Sequence, residues 1–146
     1  MAPGEAEQLD TTHEDFGTDS IITLRGAVTP TDTRPLRRAL VSALDGGSGD
    51  LLLDARAVTG FDDQALAALV AARTHGKSRQ QRLVVLDVEG GPLATLLRRT
   101  GLIFPLPVYA DRDDAEAGLA ADRQTVALRS GAFGADAVGA DKRAAG

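Results

Sequence analysis

The chain of 146 residues contains no cysteine and no tryptophan. Without thiols, disulfides, thiolate catalysis and cysteine-ligated metal are all excluded. Aromatics are limited to four Phe and one Tyr, and the two lysines are Lys77 and Lys142. A nucleic-acid surface calls for a basic stripe interleaved with aromatics. The nearest approach is Arg73, His75, Lys77, Arg79 and Arg82. These read as a helix C-terminus and its following loop, where cations complement the dipole, so no nucleic-acid partner is expected. The longest purely apolar run, Ala65 to Ala72, is far short of the ~20 residues a membrane-spanning helix needs. Residues 1–20 hold six acids and no Lys or Arg, the wrong sign for a secretory leader, and they lack its apolar stretch. A single cytoplasmic domain is the expectation.

The net charge of −5 is unevenly distributed: −6 in residues 1–20, balanced in 21–121, and +1 in 122–146. Catalytic groups are sparse. The two histidines, His13 and His75, lie apart, one in an N-terminal strand candidate and one after a helix, and both read as surface residues. Asp62 and Asp63 adjoin at a helix start, where their side chains diverge and make a poor acid/base pair. Gly90-Gly91-Pro92 opens a helix and is too short to cradle phosphates. No enzyme activity, cofactor or metal is expected.

Periodicity places the elements. Residues 1–8 read as a flexible lead, followed by strands over Leu9–Asp15 and Ile21–Val28 joined at Gly17. Asp32 is a candidate N-cap, with Pro35 tolerated in the first turn. Leu36, Ala39, Leu40, Ala43 and Leu44 then recur at helical spacing until Asp45-Gly-Gly-Ser-Gly-Asp50 ends the helix. Leu51–Val58 is a strand apolar on both faces. A second helix runs from Asp63 to about Thr74, a strand over Leu83–Val88, and a third helix starts with Pro92. Gly101 sits where a left-handed C-terminal cap belongs. A strand over Pro107–Ala110 and a helix over Asp113–Ala121 complete a domain spanning 9–121. Residues 122–146 show no sustained period and read as a disordered tail. Strands alternating with helices predict an α/β fold, a mostly parallel sheet of four to five strands packed with about four helices.

Four segments, in order, resemble the STAS domain of bacterial anti-sigma factor antagonists. They are Ile21-Ile-Thr-Leu-Arg-Gly26, Leu51–Phe61, Asp62-Asp-Gln-Ala-Leu66, and Thr100-Gly-Leu-Ile-Phe104 with Val108-Tyr109. The resemblance implies a protein-interaction module, monomeric or dimeric, that docks onto an anti-sigma factor which is also a serine kinase. It implies partner-binding residues at Thr29, Asp32, Asp62, Asp63, Gln64, Ala65 and Leu66. In that family a serine at the second helix entrance is phosphorylated, and the added charge of about −1.5 to −2 disrupts the interface.

This sequence departs at that switch. The family motif Asp-Ser-Ser-Gly-Leu is matched by Asp62-Asp-Gln-Ala-Leu66, so the phosphoacceptor position is Gln64, which has no hydroxyl. Thr29 replaces an acid often found after the second strand. Three readings follow: constitutive docking with Gln64 standing in for unmodified serine, mimicry of phosphoserine by Asp63, or drift to another partner. One carboxylate carries roughly half a phosphate's charge, which favours the first over the second. An alternative role is a STAS adaptor subunit in a stress-signalling complex or lipid transporter, docking through the Ala-rich second helix. A remoter one is a receiver-like domain phosphorylated at Asp54. It lacks the acid pair expected near Arg25-Gly-Ala-Val-Thr29 and a lysine near Pro107–Ala110.

Overall fold

The computed structural model describes residues 9–134, with side chains described through Thr125. Contacts divide the chain into two compact units, Met1–Ala115 and Glu116–Gly146. Among the described residues there are five strands, β1 (Asp10–Phe16), β2 (Asp19–Val28), β3 (Leu51–Phe61), β4 (Leu83–Leu86) and β5 (Val108–Tyr109). Four α-helices accompany them: α1 (Thr33–Gly46), α2 (Leu66–Lys77), α3 (Pro92–Thr100) and α4 (Arg112–Gly134). Single 3-10 turns, Pro30–Asp32 and Asp63–Ala65, precede α1 and α2.

The strands pair in the order β1-β2-β3-β4-β5, with β1 antiparallel to β2 and the rest parallel. The expected α/β architecture is thus present. Because the strand order never reverses, right-handed crossovers deliver α1, α2 and α3 to one face. There Ile22, Leu24, Leu51, Leu53, Val85, Leu40, Leu44, Leu69, Leu93 and Leu97 form one cluster. The other face carries Ile21, Leu52, Val84 and Leu86, all buried, so both sides of the central strands are apolar, as their sequence implied.

β3 runs three residues past its expected end. Its pairing with β2 slips twice, between Thr23 and Arg25 and between Gly26 and Ala27. Each slip admits an extra β3 residue, a bulge that bends the strand and flips its alternation. Hence Leu51, Leu53 and Ala55 face the cluster, and so does Val58. Thr59-Gly60 resembles a turn in sequence, yet the second bulge keeps it in the ladder opposite Ala27.

β4 stops earlier than expected, at Leu86. Asp87, 2% exposed, leaves the strand to accept from Val88 N (2.8 Å) and from Ala94 N in α3 (2.9 Å). Gly101 ends α3 at φ 78°, the left-handed cap expected of it. α4 corrects the sequence reading. It continues to Gly134 instead of stopping at Ala121, so the first part of the expected tail is helical. Ala, Arg, Gln and Leu favour helix without any amphipathic period, and period was the signal being read. The expected lead, 1–8, and residues 135–146 lie outside the described residues.

Buried Gln81 closes the α1–β3 connection. Its Nε2 donates to the carbonyls of Leu44 (2.9 Å), Gly47 (3.3 Å) and Gly49 (2.8 Å), while its Oε1 accepts from Arg79 Nε (2.9 Å). Gly76 permits the close approach, because a Cβ there would stand 2.8 Å from the Gln81 carbonyl oxygen. Gln81→Leu fills the space but strands those acceptors, so it is expected to lower urea-unfolding stability by about 1–3 kcal/mol. An unchanged midpoint would show that the loop does not depend on this amide.

Candidate functional site

Parallel pairing carries the ends of β2 and β3 to the same edge of the sheet. Val28 lies opposite Phe61, and the next amide, Asp62 N, still donates to Val28 O at 3.0 Å. Each strand then passes through a capping residue and one 3-10 turn into a helix. The two turns pack side by side, as do α1 and α2 behind them. Thr29, Asp32, Asp62, Asp63 and Gln64 are therefore gathered on one surface.

The first turn is a closed hydrogen-bonded unit. Thr29 donates to Asp32 Oδ2 from both its backbone N (2.8 Å) and its Oγ1 (2.9 Å). Asp32 N returns a bond to Thr29 O at 2.9 Å. Asp32 is thus not the N-cap expected for α1: it makes no side-chain cap bond to that helix. Thr29 is the capping residue, and Asp32 is the acid that reaches back to it. A Thr-x-x-Asp spacing carried that signal.

The second turn follows the sequence more closely. Asp62 has extended backbone, φ −76° and ψ 141°, and its Oδ1 accepts from Gln64 N at 2.8 Å. Ala65 N closes the turn onto Asp62 O at 3.0 Å. Asp63 is exposed, and its Oδ1 lies 3.6 Å from Arg99 Nη2 at the end of α3. Gln64 is exposed as well. Among the described residues its side-chain amide has no hydrogen-bond partner, leaving both donor and acceptor open to solvent. Ala65 and Leu66, by contrast, are 0% and 6% exposed. They seat the helix in the core, while Asp63 and Gln64 just before them face outward.

The alanines of α2 divide the same way. Ala68 and Ala72 are buried against the sheet, while Ala67 is exposed and Ala71 half-buried. The cluster of cations around α2 is engaged within the protein. His75 Nε2 meets Asp45 Oδ1 at 2.7 Å, Arg79 Nη1 lies 3.7 Å from the same oxygen, and Arg73 Nε donates to Pro105 O at 2.9 Å. His75 belongs to the last turn of α2, which extends beyond the expected Thr74. The hydrogen bond from His75 lowers the Asp45 pKa, though the site is exposed. Sequence reading missed the Arg99 and Arg73 bridges, because nothing in the spacing of distant elements announces which surfaces will meet.

Asp54 does not behave as a receiver phosphoacceptor. It lies within β3, which continues to Phe61, and its Oδ1 and Oδ2 are held by Arg56 Nε (2.9 Å) and Nη2 (2.8 Å). Among the described residues no group of three or more His, Cys, Asp or Glu is placed to share a metal ion. Burial raises the Asp54 pKa, but the Arg56 hydrogen bonds and charge more than offset it, and the net direction is down.

A family model described as "Mlab, STAS domain" matches residues 13–103, more than half of the chain. The chain belongs to the STAS domain family. No curated protein sequence matches it. Among solved structures it is similar to an anti-sigma factor antagonist from Mycobacterium paratuberculosis. The two share 23% identity over 81% of this chain and 97% of that one, with a TM-score of 0.67. It is also similar to the anti-sigma factor antagonist SpoIIAA in its unphosphorylated form, at 12% identity, 74% and 95% coverage, and a TM-score of 0.61. At these identities the likeness speaks for the fold. Among the described residues no helix of this STAS domain is long and apolar enough to cross a membrane.

Two outcomes follow from this geometry. Asp62→Ala removes the cap on Gln64 N and is expected to cost about 0.5–2 kcal/mol in urea unfolding; no loss would mean that the turn is held without it. The lowered pKa of Asp54 means its pairing contributes stability above the ordinary value of 3.8. That contribution disappears as pH falls through the folded value. In Arg56→Met the carboxyl keeps the backbone N–H of residue 56 but loses the guanidinium, so its pKa is lowered less or raised by burial and its pH-dependent contribution shrinks. The stability gap between wild type and Arg56→Met should narrow from about pH 6 to about pH 3. A constant gap would contradict this.

Proposed function

We propose that this STAS domain is a protein-interaction module that binds an anti-sigma factor of the serine-kinase type through its paired turns. We also propose that phosphorylation at position 64 does not govern the docking. The observation that carries this reading is Gln64: exposed at the entrance to α2, beside the Thr29 turn, with an amide where a phosphoacceptor needs a hydroxyl. The backbone around it is already satisfied by Asp62, so the turn is preformed and little ordering is required on binding. A neutral amide can donate to and accept from a partner surface built to meet a hydroxyl. Asp63, drawn toward Arg99, offers one partly compensated charge, which makes it a weak imitation of phosphate. Family membership supports the module reading over an enzymatic one.

The test uses the serine-kinase-type anti-sigma factors of the source organism, purified, with and without ATP. The expected result is binding by at least one of them, unchanged by ATP, with no phosphate incorporated into the wild-type chain. Gln64→Ser is expected to gain incorporation and to lose binding once ATP is added. Phosphate mapping to Thr29, Thr31 or Thr59 in the wild type would overturn the claim of a missing switch. Co-purification with an ATPase subunit and no kinase would favour the adaptor role instead.

A further inference from the structure

The connection from α3 to β5 holds three large apolar residues in a row, Leu102, Ile103 and Phe104. Leu102 and Ile103 are packed against the core cluster. Phe104 is turned the other way and is 88% exposed. The segment is pinned on both sides of it: Ile103 N donates to Leu97 O (3.1 Å), Leu106 N to Leu102 O (2.9 Å), and Pro105 O accepts from Arg73 Nε (2.9 Å). Leu106, two residues on, is fully buried. Phe104 is therefore an aromatic side chain held out into solvent by a fixed backbone.

Its surroundings are continuous with the paired turns. Arg73 ties the Phe104 segment to the middle of α2, where Val70, one turn earlier, is 41% exposed. Ala67 is exposed a further turn toward Gln64. From the other side, Arg99 links the end of α3 to Asp63. Gln64, Ala67 and Val70 are thus exposed along α2 up to the arginine that holds the Phe104 segment, and Arg98 and Arg99 are exposed at the end of α3.

We infer that Phe104 is the anchor of the docking face, inserting into an apolar pocket of the partner whose rim carries carboxylates opposite Arg98 and Arg99. This rests on the proposed function and adds the residue that dominates its affinity. A buried aromatic removes about 150–250 Å² from water, and interface energy concentrates in such central, desolvated anchors. Holding the side chain in place beforehand reduces the ordering cost of binding. A second copy of this chain is the alternative occupant, and self-association distinguishes it.

The experiment measures binding of the full chain to the same purified anti-sigma kinases by calorimetry, for wild type, Phe104→Ala and Val70→Ala. Circular dichroism and unfolding midpoints of each variant accompany the measurement, and sedimentation reads self-association. Phe104→Ala is expected to keep the wild-type midpoint and to weaken binding by about 30-fold or more, the hot-spot range. Val70→Ala is expected to weaken it by under about tenfold. Wild-type binding with Phe104→Ala weakened less than about threefold would overturn the inference while leaving the proposed function intact. A wild-type dimer abolished by Phe104→Ala would overturn the choice of occupant. If no kinase binds wild type, the proposed function fails, and the inference fails with it.

Discussion

The parallel pairing of β2 with β3 is the constraint on which the rest of this STAS domain depends. It spans nine positions of β2, from Ser20 to Val28, and the two bulges let eleven residues of β3 keep step with them. Without those extra residues Val58 would turn from the core and Phe61 would not arrive opposite Val28. The bend they introduce also carries β3 beyond the end of β4, which stops at the level of Asp54. α3 packs against β3 in consequence, and its last turn reaches Asp63.

From that pairing the candidate site follows by simple chain geometry. Two strands ending at one edge must each release a connection there, and each connection uses the same device, a short polar cap and one tight turn before a helix. Asp32 accepts from Thr29 and Asp62 accepts from Gln64 N, so each turn is closed by its own carboxylate before any partner arrives. Among the described residues the side-chain amide of Gln64 makes no hydrogen bond and is exposed. A site built this way has its backbone hydrogen bonds made in advance and leaves its side chains to differ without disturbing the turn.

Buried polar groups fix connections at both ends of the strands. Gln81 gathers three carbonyls from the α1–β3 connection, Asp87 holds the start of α3, and Asp54 is matched by Arg56. Each is hydrogen-bonded, as burial requires, Gln81 across more than 30 residues and Asp54 only two residues away. The arginines and His75 are likewise engaged with carbonyls and carboxylates, so a cluster that looks basic in sequence presents less free charge than its count suggests. Phe104 stands apart from this pattern: Leu102 and Ile103 are half-buried and Leu106 is buried, while Phe104 is exposed.

The order of strands and helices, the amphipathic face of α1 and the Gly101 cap were legible in the sequence, because each depends on residues within one or two turns of each other. Asp32 was misread because a capping residue and the acid three positions later carry similar local signals, and the chain's entry from β2 decides between them. The extension of β3 through Thr59-Gly60, the early end of β4, the burial of Ala65 and Leu66, the Asp63–Arg99 contact and the exposure of Phe104 were set by the tertiary structure. Each of these depends on how a segment meets a partner far away in the chain. Local pattern encodes propensity, but bulge register and loop direction are fixed by the packed sheet and helices.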